Sequence, residues 1–307
     1  MKRYRNVGAY AFVLIFLAGC GGGPVAPRSG SLVDARKNAP MMTKSAGIPP
    51  SPVDAPAPPF MLSHYESPVG LLAAYVTSDP GDGRKHPAIL WITGGDCNSI
   101  GDVWSEAPAS NDQTAAAFRQ AGIVMMFPSL RGGNQNPGKR EGFWGEVDDV
   151  LAARKSLAQL PYVDPSRIYL GGHSTGGTLA LLVSESSDQF RAVFSFGPVE
   201  DVRGYPGEYT PFDTSNKNAA ELRSPGYWLH AIKSPTFVFE GTGGNIDSLR
   251  TMSKSTSNAK VTFYPIPGDH FSILGPTNRL LAQKVLSDTG ATCNIRFAAD
   301  ELARAQR

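Results

Sequence analysis

Short apolar runs, rich in β-branched and aromatic residues, alternate along most of this chain with longer segments whose apolar positions recur at helical spacing. The runs predict seven strands: "LLAAYVT" (Leu71–Thr77), "AILWIT" (Ala88–Thr93), "GIVMMFP" (Gly122–Pro128), "RIYLGG" (Arg167–Gly172), "AVFSFG" (Ala192–Gly197), "TFVFEG" (Thr236–Gly241) and "VTFYPI" (Val261–Ile266). Several are apolar at nearly every position, as strands buried on both faces are. Helical patterns start near Asp112, Glu146, Thr175, Ile246 and Pro276, with a less regular stretch from Asn218 to Ile232. In the second of these, Val147, Val150, Leu151, Leu157 and Leu160 share one face, which should pack on the sheet. The alternation predicts an α/β fold in one domain, a mostly parallel central sheet with helices on both faces.

Upstream the pattern changes. Lys2, Arg3 and Arg5 precede an apolar run, Ala9–Ala18, that is too short to span a bilayer as a stable helix and reads as a secretory signal. It ends in "LAGC", Leu17–Cys20. This resembles the bacterial lipobox, which implies cleavage before Cys20, lipidation of its sulfur and anchoring to a membrane of the cell envelope. Gly21 resembles the residue that follows the cysteine in lipoproteins of the outer membrane. From there to about Pro59 glycine, proline, alanine and serine dominate, and a semi-rigid tether is expected. The predicted organisation is a signal peptide over 1–19, a tether over 20–59 and a folded domain over 60–307.

The 307 residues are 41% hydrophobic and 18% charged, enough for a substantial core. A formal net charge of +2 with scattered basic residues gives no electrostatic footprint for nucleic acid, and a small-molecule or peptide substrate is the more natural partner. Besides Cys20 there are two cysteines, Cys97 and Cys293, which an oxidising compartment would allow to pair as a disulfide, with two free thiols as the alternative. No histidine or cysteine pairs stand at zinc-ligand spacing.

Gly172-His173-Ser174-Thr175-Gly176 fits G-x-S-x-G, a pattern too short to carry weight alone. Its context matters more: a strand precedes it, a helix follows, and small residues flank the serine, as required for a sharp turn that exposes a nucleophile at the carboxyl edge of a sheet. A serine hydroxyl needs a base. Of the five histidines only His230 and His270 follow Ser174, and His270, just after the last predicted strand in "PIPGDHFSIL", is the better placed. His173 should point away from the reacting centre and support it from behind. The carboxylate behind the base is less determined. Asp247, on the loop leaving "TFVFEG", is favoured, with Glu240 at the strand end and Asp201 in "GPVED" as alternatives. Two backbone N–H groups must meet a developing oxyanion, one from Thr175 and one from Gly95 or Asp96 in "TGGD". Such a site requires no metal or organic cofactor.

Taken together, "AILWITGG", "FPSLRGGNQNPGKREGFWGEVDDVLAARKSLAQLPYVDPSRIYLGGHSTGG" and "GDHFSIL" resemble the catalytic domain of the prolyl oligopeptidase family and its dienelactone hydrolase and esterase relatives, over roughly residues 65–290. The resemblance implies an α/β-hydrolase fold and a serine hydrolase working through an acyl-enzyme, with Ser174 as nucleophile, His270 as base and Thr175 lending an oxyanion N–H. Three positions depart from it. Thr93 stands where the family has histidine, Thr175 where the peptidases often have tyrosine, and Gly244 where they commonly have the catalytic aspartate. No segment here matches their β-propeller, so substrate selection falls to the loops at 98–111, 134–144 and 203–224, with Trp104, Phe143, Trp144 and Tyr205 as candidate lining. The departures favour ester or small acyl substrates over peptides. The altered acid position also motivates a third reading, a non-catalytic envelope lipoprotein of the same fold.

Overall fold

The computed structural model describes residues 25–44, 51–298 and 300–307. Eight strands form one sheet: β1 (Phe60–Ser67), β2 (Gly70–Thr77), β3 (His86–Ile92), β4 (Val124–Pro128), β5 (Val163–His173), β6 (Val193–Phe196), β7 (Thr236–Gly241) and β8 (Val261–Ile266), in the spatial order β1-β2-β4-β3-β5-β6-β7-β8. The β1–β2 and β2–β4 pairs are antiparallel and the rest parallel. Each of the seven predicted runs overlaps a strand, with Thr93, Gly122, Ile123, Ala192 and Gly197 falling just outside. The eighth, β1, "FMLSHYES", shows no regular polar–apolar alternation and is buried mainly at Phe60 and Tyr65, as an edge strand can be.

The helices are α1 (Leu32–Lys37), α2 (Ala116–Gln120), α3 (Glu146–Leu157), α4 (Thr175–Ser186), α5 (Lys217–Glu221), α6 (Ile246–Ser255), α7 (Leu274–Ser287) and α8 (Glu301–Ala305). Alternate strand residues feed opposite cores, as the period of two requires. Leu72, Ala74, Leu90 and Leu170 pack with Val147 and Val150 of α3 and Leu179 and Leu182 of α4. Tyr75, Ile89, Trp91 and Tyr169 pack with Phe118 of α2 and Leu281 and Val285 of α7 on the other face. From β3 the chain crosses outward to β4, then back across to β5. The carboxyl ends of β3 and β5 therefore flank a topological switch point, where open parallel sheets form their crevice.

Residues 25–44 are not a free tether. Leu32 is fully buried, and Ser31 caps α1 through the Asp34 amide. The Arg28 amide donates to the Tyr227 carbonyl at 3.1 Å, and the Gly30 carbonyl accepts from His230 Nε2 at 2.9 Å. His230 is thereby fixed on the short turn Leu229–Ala231, holding the N-terminal segment. Further on, the Tyr75 hydroxyl donates to the Asp54 carbonyl at 2.9 Å. The folded body thus starts well before residue 60. The expected signal, including Cys20, lies outside the described residues.

Cys97 and Cys293 are free thiols. Cys97 belongs to the core on the α3–α4 face, whereas Cys293 packs against the core on the α2–α7 face, so the sheet separates them and, of the two outcomes the sequence allows, the free thiols are found and not the disulfide. Burial pushes the Cys97 thiol up to about 12.

Candidate active site

Ser174 sits between β5 and α4 with φ 55° and ψ −116°, a conformation that costs a non-glycine residue energy and is held here by its surroundings. Its amide donates to the Phe196 carbonyl at 2.7 Å, and its carbonyl accepts the first helical bond, from Thr178, at 2.9 Å. The turn is tight: a Cβ on Gly176 would lie 2.3 Å from the Ile92 carbonyl oxygen, so α4 and β3 approach this closely only because that position is glycine. The serine is consequently displayed at the carboxyl edge of the sheet, at the N-terminus of α4.

His270 follows β8, and its Nδ1 lies 3.0 Å from Glu240 Oε2. Glu240 is the last but one residue of β7 and is 1% exposed, with Oε1 accepting the Gly241 amide at 2.6 Å. Of the three candidate carboxylates, Glu240 alone meets the imidazole. Asp247, the favoured choice from sequence, is 76% exposed on the first turn of α6 and pairs with Arg250 at 3.1 Å. Asp201 is bound by Arg203 and by the Tyr227 hydroxyl, which together hold its carboxyl below the usual range despite burial. Two glycines make room for the pair. A Cβ on Gly244 would stand 2.4 Å from Glu240 Oε1, and one on Gly197 would stand 2.3 Å from His270 Cε1.

His173 supports this arrangement from beneath. It is fully buried, and its Nε2 lies 2.9 Å from the His270 carbonyl. Gln113 places Nε2 at 2.8 Å from His173 Nδ1 and accepts the Gly94 amide on Oε1 at 3.2 Å. The glutamine can serve both partners only by donating to Nδ1, so the imidazole carries its proton on Nε2 and donates it to the His270 carbonyl. Burial holds His173 neutral, well below the ordinary histidine range, and the neighbouring His270 adds to the effect. Gln113 was not among the residues singled out from sequence. A glutamine in a loop carries no local signal for such a bridge.

The amides of Thr175, Gly95 and Asp96 make no hydrogen bond to protein acceptors among the described residues, whereas the Gly94 amide is taken by Gln113. Gly95 has φ 75°, and its carbonyl accepts from the Thr175 hydroxyl at 2.9 Å, tying the β3 loop to the elbow. The Asp96 side chain is bound by Arg140. Thr175, Gly95 and Asp96 border a small pocket completed by Cys97, Arg140, Phe143, Glu208, Tyr209 and Pro211. Tyr205 stacks on Phe143 at 5.8 Å and joins its hydroxyl to that of Thr178 at 2.7 Å. Trp104 and Trp144 line no part of this pocket: the first packs edge-on against Tyr75, and the second lies beneath Arg36 and Arg223.

The pocket walls rest on a buried polar frame. Glu146 accepts the amides of Glu141, Gly142 and Trp144, at 2.7, 3.2 and 2.9 Å, and so folds the turn that carries Phe143. Arg131 bridges Asp149 and Glu141, each at 2.8 Å.

The model of the prolyl oligopeptidase family matches residues 109–243, a span that contains both the elbow and Glu240. The chain has the α/β-hydrolase fold and over this span is similar to the prolyl oligopeptidase family. Over 93 residues it is 43% identical to a probable dipeptidyl-aminopeptidase B of Metarhizium robertsii, covering 30% of this chain and 10% of that protein. Over 191 residues it is 28% identical to the uncharacterized peptidase YtmA of Bacillus subtilis, covering 53% of this chain and 69% of that one. Among solved structures, an esterase of Pyrobaculum calidifontis superposes with a TM-score of 0.54 at 16% identity over 76% of this chain and 87% of the esterase, a likeness of fold. This chain spans only a tenth of the length of that dipeptidyl-aminopeptidase.

Proposed function

We propose that this chain is a serine hydrolase in which Ser174, His270 and Glu240 form the catalytic triad. The observation that carries the reading is the 3.0 Å contact between the buried Glu240 carboxylate and His270 Nδ1, on a histidine that follows the strand next to it. Glu240 fixes the tautomer in which Nε2 is free to take the Ser174 proton, and it stabilises the imidazolium that results. Ser174 Oγ attacks the substrate carbonyl carbon, and the imidazolium returns the proton to the leaving group. Water then repeats the sequence on the acyl-enzyme. The Thr175 amide, with that of Gly95 or Asp96, receives the oxyanion, assisted by the positive end of α4.

Within the class, esters of small acids are favoured. The pocket beside Thr175 is narrow and walled by Phe143, Tyr209 and Pro211. A peptidase is the second reading, supported by the family match over 109–243. A fluorophosphonate probe should label the wild type and not Ser174→Ala. Failure of the wild type to label, with the fold intact, would remove the enzyme reading in favour of the non-catalytic one. Comparing acyl esters with aminoacyl amides decides between the two enzyme readings.

We further propose that Cys20 is lipidated and holds the protein on the bacterial envelope, in the outer membrane where one exists. The support is the sequence of Leu17–Cys20 after its basic and apolar lead. Incorporation of a palmitate analogue that Cys20→Ser abolishes is the expected result, and incorporation that persists in the variant would refute it.

A further inference from the structure

We propose that residues 25–44 form a strap that shapes the small pocket beside Thr175, which would receive the acyl group of the substrate, with Arg36 as its positioning residue; this rests on the hydrolase reading above. Arg36 spends its guanidinium on the backbone of two separate loops. Its Nε and Nη2 donate to the Leu222 carbonyl at 3.0 and 2.9 Å, Nη2 also to Phe143 at 2.7 Å, and Nη1 to Trp144 at 3.2 Å. The planar fork matches acceptors in fixed directions, so it sets the distance between the loops as well as joining them. Trp144 lies under this cation at 5.1 Å and under Arg223 at 4.6 Å.

What makes the contact more than a staple is the residue it holds. Phe143 lines the pocket with its ring while its backbone stands at φ 70°, a region that a phenylalanine disfavours. Releasing its carbonyl frees the chain to relax, which would turn the ring and the Tyr205 stacked on it. The other end of the strap reaches a second wall, since the Lys44 amide donates to the carbonyl of Pro211 at 2.7 Å. Arg223, which donates to the Glu141 and Ala219 carbonyls at 3.1 and 2.9 Å, also reaches the Met42 carbonyl at 3.4 Å. Both walls of the pocket are thus held by one segment that precedes the sheet.

Positioning of this kind changes which acyl groups fit more than it changes the chemistry. Hydrolysis of p-nitrophenyl esters from acetate to octanoate would be measured for the wild type, Arg36→Ala, Arg36→Lys and Lys44→Pro, beside melting temperatures and labelling by a small fluorophosphonate. Arg36→Ala is expected to change the octanoate-to-acetate ratio of kcat/KM about tenfold, mostly through KM, with labelling within about twofold of the wild type. Arg36→Lys should recover part of the ratio, and Lys44→Pro should move it in the same direction with little loss of fold. A lower melting temperature with an unchanged ratio in both Arg36→Ala and Lys44→Pro overturns the proposal. If Arg36→Ala does not fold, Lys44→Pro alone decides in the same way. A wild type silent to both probe and esters removes the hydrolase reading, and the role of the strap with it.

Discussion

Glu240 fills the space that a side chain on residue 244 would need: a Cβ there would lie 2.4 Å from Glu240 Oε1. In the proposed triad, the position at which the resemblance calls for an aspartate is empty because the acid comes from four residues earlier, near the end of β7. The carboxylate arrives from the strand, the loop gives up its own, and the histidine keeps its partner.

Glu240→Gln should lower kcat by about three to four orders of magnitude, because the amide no longer holds the correct tautomer or the imidazolium. Asp247→Asn, on the exposed first turn of α6, should leave kcat within about twofold. Steady-state hydrolysis of one ester by both variants makes the test, and equal losses would remove Glu240 from the triad.

Gly244→Ala should reduce kcat at least about tenfold while KM changes little, since the added methyl pushes the Glu240 carboxylate off His270 and leaves the pocket alone. In the double variant Glu240→Ala, Gly244→Asp, activity above that of Glu240→Ala is the expected outcome, with the acid restored on the loop. Kinetics of the three variants decide whether the two positions exchange one function.

His173 gives a pH signature in stability. Its folded form resists protonation, so its contribution is fully present above the ordinary histidine pKa of about 6.5 and is lost as pH falls below it, when the unfolded chain takes up a proton that the native state does not. The stability advantage of the wild type over His173→Gln should shrink by about 1 kcal/mol between pH 6.5 and 5.5. Urea unfolding at the two pH values measures it, and a constant difference would mean that His173 titrates normally in the fold.

Arg131→Ala should destabilise the protein by about 3–5 kcal/mol, because Asp149, with no exposed side-chain surface, and Glu141 would keep buried charges without their cation. Denaturant titration checks the magnitude. A loss under about 1 kcal/mol would show that the cluster is solvated.

Thiol chemistry should separate the cysteines by their positions. Cys293 is partly exposed and Cys97 is buried with its thiol pushed up to about 12, so an alkylating reagent should modify Cys293 first and reach Cys97 only on unfolding. Mass spectrometry of the partly labelled protein reads the order directly.

The sharp turn at Ser174 and the place of His270 were legible in the sequence because their signals are local: glycines around Ser174, a strand before it, and a histidine after the last strand. The acid was not. Glu240 and Asp247 lie on either side of the same loop, and the choice between them depends on which carboxylate reaches the imidazole once Gly244 has withdrawn its side chain. The central strands announced themselves by unbroken apolar runs, whereas β1, half of whose residues face water, did not. The N-terminal segment was misread for a different reason. Its prolines and glycines suggest an extended tether, but what seats it is two buried apolar side chains, Val25 and Leu32, an arginine bound to carbonyls and a few backbone hydrogen bonds, none of which changes the composition.

The docking of that segment bears on where the enzyme would stand. Val25 is already buried against the body, so residues 21–24 alone separate it from the proposed anchor at Cys20, a reach of about 18 Å at full extension. The hydrolase body would ride at the bilayer surface, within little more than half the roughly 30 Å depth of a hydrocarbon core. Molecules gathered at the lipid–water boundary would then meet the site at a far higher local concentration than those diffusing through the compartment beyond.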